Sequence, residues 1–177
     1  MTAKELYNGL VSGDISVSNG LALIRAEISL TESELFWVNS ELEGYKGKVT
    51  VPEYRQLPCR ILARVAHIPT GETYDQEIQG EGIDRLDKML VERYGLSIYK
   101  IYVTQGVELI EKFFQGKSHG NVVMRLEGTP GQMMTQAIQD NEFPRINQVK
   151  DVVQSSDIAY IDRTLSVIKQ QLLKIIL

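Results

Sequence analysis

The C-terminal segment constrains the fold most. Ile158, Ile161, Leu165, Ile168, Leu172 and Ile175 follow one another at intervals of 3, 4, 3, 4 and 3 residues, the spacing that lines apolar side chains along one stripe of an α-helix. Such a stripe needs a facing surface. Two sources are open: the helix packs inside its own domain, or it meets a partner helix or a second copy. In the second case Ile161, Leu165, Ile168 and Leu172 are the candidate interface. Leu173, Ile176 and Leu177 widen the apolar surface, and the sequence closes on them without Gly or a polar cap. That ending implies a buried terminus or a boundary inside a longer protein, of which these residues form the N-terminal module.

Helical spacing also governs the N-terminal quarter. Ala3, Leu6, Tyr7 and Leu10 predict a first helix broken at Gly13 and Asp14, and Ser16 or Ser18 caps a second that carries Leu21, Ile24 and Ile28. Gly20 weakens the start of this second helix by about 1 kcal/mol relative to Ala. Thr31 and Glu34 have capping-box spacing, so a third helix begins near Glu32. Leu35, Val38, Leu42 and Tyr45 form its apolar side, while Asn39, Ser40, Glu41 and Glu43 supply the wet side. Gly44 and Gly47 mark its end.

Beyond Pro52 the period falls to two. Cys59, Ile61, Ala63 and Val65 alternate with Arg60, Leu62 and Arg64, the pattern of a strand with one buried face. Residues 70 to 82 are polar and glycine-bearing and read as a loop, after which Ile83, Leu86, Leu90 and Tyr94 resume helical spacing. Residues 97 to 103 favour a strand, with a helix running on through Phe114 as the alternative. Val107 to Phe114 is an amphipathic helix, Gly116 to Gly120 a turn, and Asn121 to Glu127 a strand. Gly128 to Gly131 reads as a loop before a short helix over Met133 to Ile138, and residues 146 to 153 as a further strand. Ser155 or Ser156 caps the final helix. The fold class is therefore α+β and helix-rich: an N-terminal helical bundle, a small strand-containing middle and a long C-terminal amphipathic helix, in one domain over residues 1–177.

Composition narrows the function classes. A net charge of −4 argues against nucleic acid as the partner. Cys59 is the single cysteine, so no internal disulfide forms and a reducing cytoplasm fits. No stretch is apolar and long enough to span a membrane, and the start lacks the pattern of a signal peptide.

The local motifs that invite catalysis fall short of their mechanics. Gly116-Lys117-Ser118-His119-Gly120 satisfies a nucleophile-elbow pattern, yet an elbow needs a strand leading in and a helix leading out, the reverse of the order predicted here. The same turn ends like a phosphate-binding loop, but the position five residues before Gly116 is Glu111, whose charge repels phosphate. Asp75, Glu77, Glu81, Asp84 and Asp87 gather carboxylates without the alternating spacing of a calcium loop, and read as a solvated loop and helix start. No catalytic residue, metal ligand or cofactor is assigned. Arg55, Arg60 and Arg64, with Lys46 and Lys48, offer a basic strip beside Tyr45 and Tyr54, residues that stack on bases in single-strand binders; the alternative, favoured by the acidic chain, is that the arginines mark the solvent side of the strand.

One stretch is more distinctive than any of these. Trp37, Glu41, Leu42, Gly44 and Tyr45 form a W-x-x-x-E-L-x-G-Y run, and Pro52, Glu53, Tyr54 and Arg55 follow as P-E-Y-R. Together they resemble the signature of the AbiTii domain family of bacterial abortive-infection phage resistance. The resemblance implies a defence role, as a free-standing protein or as a module attached to an effector, and carries no catalytic motif. On this reading the nine residues are structural: Trp37, Leu42 and Tyr45 anchor the core where the third helix meets the first strand, and Gly44 ends the helix. The expected function is a non-enzymatic interaction or oligomerisation module that associates with itself or with an effector protein or domain. A toxic effector enzyme acting on nucleic acid through the acidic patch or the Ser118/His119 turn, and a small-ligand sensor, are the alternatives.

Overall fold

In a computed structural model describing residues 1–114, 117 and 119–177, the chain is a mixture of helices and short antiparallel strands. In chain order the elements are α1 (Ala3–Ser12), α2 (Val17–Glu27), α3 (Glu32–Glu43), two single-turn 3-10 helices (Lys48–Thr50 and Glu53–Arg55), β1 (Gln56–Pro58), β2 (Arg60–His67), β3 (Thr73–Glu77) and α4 (Glu81–Tyr94). Then follow β4 (Lys100–Tyr102), α5 (Val107–Phe114), β5 (Asn121–Arg125), α6 (Gly128–Glu142), β6 (Asn147–Asp157) and α7 (Ala159–Ile176). β1 and β4 form a two-stranded sheet. The helix-rich α+β class expected from the sequence is the class observed.

The chain divides into two compact units. Unit 1 comprises Met1–Gln56, Tyr102–His119 and Ile158–Leu177; unit 2 comprises Leu57–Ile101 and Gly120–Asp157.

Unit 1 is helical. Leu6 and Leu10 of α1, Leu21 and Ile24 of α2, Val38 of α3, Val107 of α5 and Ile168 and Leu172 of α7 share one buried cluster. Thr31 and Glu34 make the reciprocal capping box, and Thr2 and Glu5 make another at α1. Gly20 has a packing reason for its place in α2: a Cβ there would lie 2.7 Å from a methyl of Leu10 and 2.9 Å from one of Leu172. The local helix propensity given up is offset by close approach of the neighbouring helices.

Unit 2 is built on a four-stranded antiparallel sheet in the order β3-β2-β6-β5. Ile61, Ala63 and Val65 of β2 point to one face and join Ile83 and Leu90 of α4, Met134 and Ile138 of α6, and Val149 and Val152 of β6. The register shifts between Arg64 and Val65 where β2 meets β6, a bulge that increases local twist.

Four boundaries differ from the sequence reading. The polar stretch 70–82 contains β3, whose five residues are all exposed, so no buried face imprinted alternation on it. α6 begins at Gly128 and takes in the Gly-Thr-Pro-Gly segment, with Pro130 in the first turn, where its missing N–H costs nothing. β6 runs to Asp157 and absorbs Ser155 and Ser156 as buried strand residues, so α7 starts at Ala159, beyond both serines. Within 97–103 only Lys100–Tyr102 is strand.

Candidate functional site

The signature residues converge at the end of α3. Glu41 and Arg55, expected respectively on the wet side of α3 and in a basic strip, are instead buried with no solvent exposure. The Arg55 Nε and Nη2 both donate to Glu41 Oε2, Nε at 3.0 Å. Glu41 Oε1 accepts from the phenols of Tyr45 and Tyr54, each at 2.6 Å, and the Tyr54 oxygen in turn accepts from Trp37 Nε1 at 3.0 Å. The Arg55 Nη1 donates to the carbonyls of Val103 at 3.2 Å and Gln105 at 2.7 Å. The guanidinium carbon stands 5.2 Å from the Tyr45 ring centre, adding a cation–π contact.

Backbone geometry makes this convergence possible. α3 stops at Gly44, whose φ of 90° places it in the region that favours glycine, and the next residue donates from Tyr45 N to Thr104 O at 2.8 Å. A Cβ on Gly44 would lie 2.5 Å from Thr104 O, and one on Gly106 would lie 2.2 Å from Leu42 O. The end of α3 and the 103–106 segment therefore meet backbone to backbone. Pro52 opens the second 3-10 turn, in which Arg55 N donates to Pro52 O at 2.9 Å, and this turn swings Arg55 inward. Val103 N donates to Arg55 O at 3.0 Å, and Thr164 of α7, itself buried, donates to Tyr54 O at 2.6 Å. Trp37 and Leu42 are half-buried against the unit 1 core, and Glu53 alone of the nine faces solvent.

The hydrogen-bonding capacity of the site is spent internally. A buried carboxylate receiving two hydrogen bonds from tyrosines and two from a guanidinium has its lone pairs occupied and no open face for a substrate. Burial, and then the Glu41 charge, pushes the Tyr54 phenol up to about 12 and holds Tyr45 well above the ordinary phenol value, so both stay protonated donors.

The C-terminal stripe lies in the same unit. Ile161, Ile168 and Leu172 are buried, and Leu165 is half-buried against the same cluster. In this fold the facing surface includes α1 and α2 of the unit itself. Nearby, Glu111 of α5 accepts from Val17 N at 2.8 Å and from Ser18 N and Oγ. The carboxylate that spoils the phosphate-loop pattern is thus itself the anion on the α2 N-terminus. A cleft of about 720 Å³ opens beside it, lined among others by Ser16, Asn19, Lys112, Asp162 and Leu165.

In unit 2 the acidic stretch is spent on fastening its own elements. Asp87 accepts from Ser97 Oγ at 2.8 Å and Ile98 N at 2.7 Å, and Asp84 from the Tyr99 phenol at 2.6 Å. Asp75 pairs with Arg64 at 3.0 Å, Glu77 with Arg60 at 3.5 Å and Glu81 with Arg85 at 3.4 Å. Among the described residues no group of three or more His, Cys, Asp and Glu is placed to hold a metal ion. The basic strip is dispersed: Arg55 is sealed in unit 1, and Arg60 and Arg64 are neutralised by β3, while Tyr45 and Tyr54 point their hydroxyls at Glu41. Burial pushes the Cys59 thiol up to about 12 and it donates to Ile98 O at 3.3 Å, which favours the protonated thiol. Of the Ser118/His119 turn, Gly116 and Ser118 lie outside the described residues; His119 is exposed. Among the described residues no helix is long and apolar enough to cross a membrane.

A helical unit locked by a buried Glu–Arg–Tyr network is what the W-x-x-x-E-L-x-G-Y and P-E-Y-R runs encode. The family model for AbiTii matches residues 3–177, and the chain belongs to the AbiTii family. Membership places it in abortive-infection defence against phage. No curated protein and no solved structure matched the chain.

Proposed function

We propose that the chain serves abortive infection by association: residues 1–177 act in the cytoplasm as one AbiTii module, non-enzymatic, that assembles with itself or with an effector protein or domain. The observation behind this reading is the fate of the signature. Eight of its nine residues are spent on holding α3, the 3-10 turn and the 103–106 segment together, Glu53 being the exception. A family identified by such a network is identified by a shape it keeps, and shape serves recognition. Unit 1 also exposes large apolar side chains, with Phe36 at 73% and Phe113 at 64%, a cost in water that contact with another surface would remove.

Light scattering on the purified chain over a concentration series tests the reading, run beside phage plating on cells carrying the native locus. The expected result is a concentration-dependent assembly and unchanged protection when Ser118 and His119 are both replaced by Ala. A monomer at every concentration that copurifies with no neighbouring gene product would remove the reading, as would loss of protection in that folded double variant.

A further inference from the structure

The unit 2 sheet ends in two unlike edges. Its order, β3-β2-β6-β5, leaves the outer sides of β3 and β5 without a strand among the described residues. The ladder shows which backbone groups face outward. Leu126 N donates to Val152 O at 3.1 Å, and the β5–β6 register pairs Val123 with Ser155 and Met124 with Gln154. Hydrogen-bonded and non-hydrogen-bonded pairs alternate in an antiparallel ladder. Leu126 therefore sets Met124 and Val122 as residues bonded to β6, and the N–H and C=O groups of Asn121, Val123 and Arg125 point away from the sheet. On the other edge, Ile78 N donates to Ile61 O at 2.9 Å and His67 N to Glu72 O at 2.8 Å, so Thr73, Asp75 and Glu77 carry the outward groups of β3.

Exposed edges are normally blunted by charges, Pro or bulges because unpaired backbone invites another strand. β3 is blunted. A two-fold antiparallel pairing over its full length would set Asp75 directly opposite its copy, and like charges opposite one another destabilise a pair. β5 is not blunted. Its sequence is Asn-Val-Val-Met-Arg, Val123 is 54% exposed, and its one charge, Arg125, is paired at 2.8 Å with Asp151 of the adjacent strand.

We propose that β5 is a self-association edge, pairing antiparallel with β5 of a second copy about a two-fold axis at Val123. This rests on the association reading above and names its surface. The strand is self-complementary in each respect that pairing requires. A two-fold at Val123 sets Asn121 opposite Arg125 of the second copy, Val122 opposite Met124, and Val123 opposite itself, so no like charges meet. The residues that would exchange hydrogen bonds are Asn121, Val123 and Arg125, the ones with outward backbone, so register and hydrogen-bond parity agree. Such a contact is isologous and closes on itself, joining two four-stranded sheets into one of eight.

The test uses the intact chain in sedimentation velocity or light scattering, with circular dichroism as the folding control. Val123→Pro is the sharpest variant: its lost N–H points outward, so the β5–β6 ladder keeps its bonds. Val123→Asp places like charges across the axis and serves where the proline perturbs folding. The expected result is a wild-type dimer whose dissociation constant rises at least about tenfold in both folded variants, while Asp75→Ala on the opposite edge leaves it unchanged. A dimer unmoved by both Val123 variants overturns the β5 edge and leaves the association reading standing. A wild type that stays monomeric at every concentration overturns the β5 edge and leaves association with an effector as the reading above.

Discussion

Two regions use the same residue types to opposite ends. In unit 1, Arg55 and Glu41 meet with side-chain exposures of 0% and 0%; in unit 2, Arg64 and Asp75 meet at 3.0 Å with exposures of 45% and 42%. The buried pair has surrendered its hydration and depends on every partner it has: two tyrosines, two carbonyls and a ring face. The exposed pair keeps water as an alternative partner. A charge in a strand that alternates with apolar residues belongs to the surface, whereas a charge at the junction of three chain segments can be the bolt that holds them.

The two regions differ most at Glu41 and Arg55. Truncating either alone leaves an uncompensated buried charge and is expected to cost about 3–5 kcal/mol in urea unfolding. Replacing both by apolar residues of similar volume, as in Glu41→Leu/Arg55→Met, is expected to cost much less than the sum of the single changes. Gly106→Ala, which would drive a Cβ against Leu42 O, separates the α3 end from its neighbour and is expected to cost about 1–3 kcal/mol in the same measurement. A smaller loss, about 1–2 kcal/mol, is expected for Gln154→Ala in unit 2. Gln154 is 5% exposed, and its side chain donates to the carbonyls of Ile98 at 2.6 Å and Lys100 at 3.0 Å.

Alkaline titration sharpens the same contrast. A phenol whose folded pKa is raised stabilises the fold fully below its unfolded value and loses that contribution as pH rises through the folded value. For Tyr54 the window runs from an ordinary value of 10.0 to about 12, and Tyr45 is shifted in the same direction. Urea midpoints are therefore expected to fall above pH 10, and Tyr45→Phe/Tyr54→Phe to flatten that fall relative to its own value at pH 8. The smallest effect belongs to Arg64→Ala, for which the melting temperature is expected to remain within error of wild type. A large loss there would mean that the open ion pair is as structural as the buried one.

How much of this was legible follows from what leaves a pattern. The switch from period 3.6 to period 2 between Tyr45 and Cys59 was readable because one face of α3 and one face of β2 are each buried. β3 was not readable, since a strand with both faces in solvent carries no alternation. Burial of Glu41 and Arg55 was hidden for a deeper reason: the rule that charges face water is right for Arg60 and Arg64 and fails only where partners far apart in sequence assemble around the charge. The resemblance to a family marked the stretch, and the cluster of Trp, Tyr, Glu and Arg within it was the available signal that polar groups were to be satisfied internally. The five carboxylates between Asp75 and Asp87 are dispersed by folding, because Asp84 and Asp87 face residues 97–99 while Asp75 and Glu77 face the arginines of β2.

On the proposed reading the signature is a scaffold whose chemistry is spent on shape. Phage plating efficiency on cells expressing Glu41→Leu/Arg55→Met, corrected for the amount of folded protein, tests it most directly. Protection that scales with the folded fraction and equals wild type per folded molecule is the predicted result. A variant that is folded and abundant yet gives no protection would contradict the account and make Glu41 or Arg55 a participant in the activity itself.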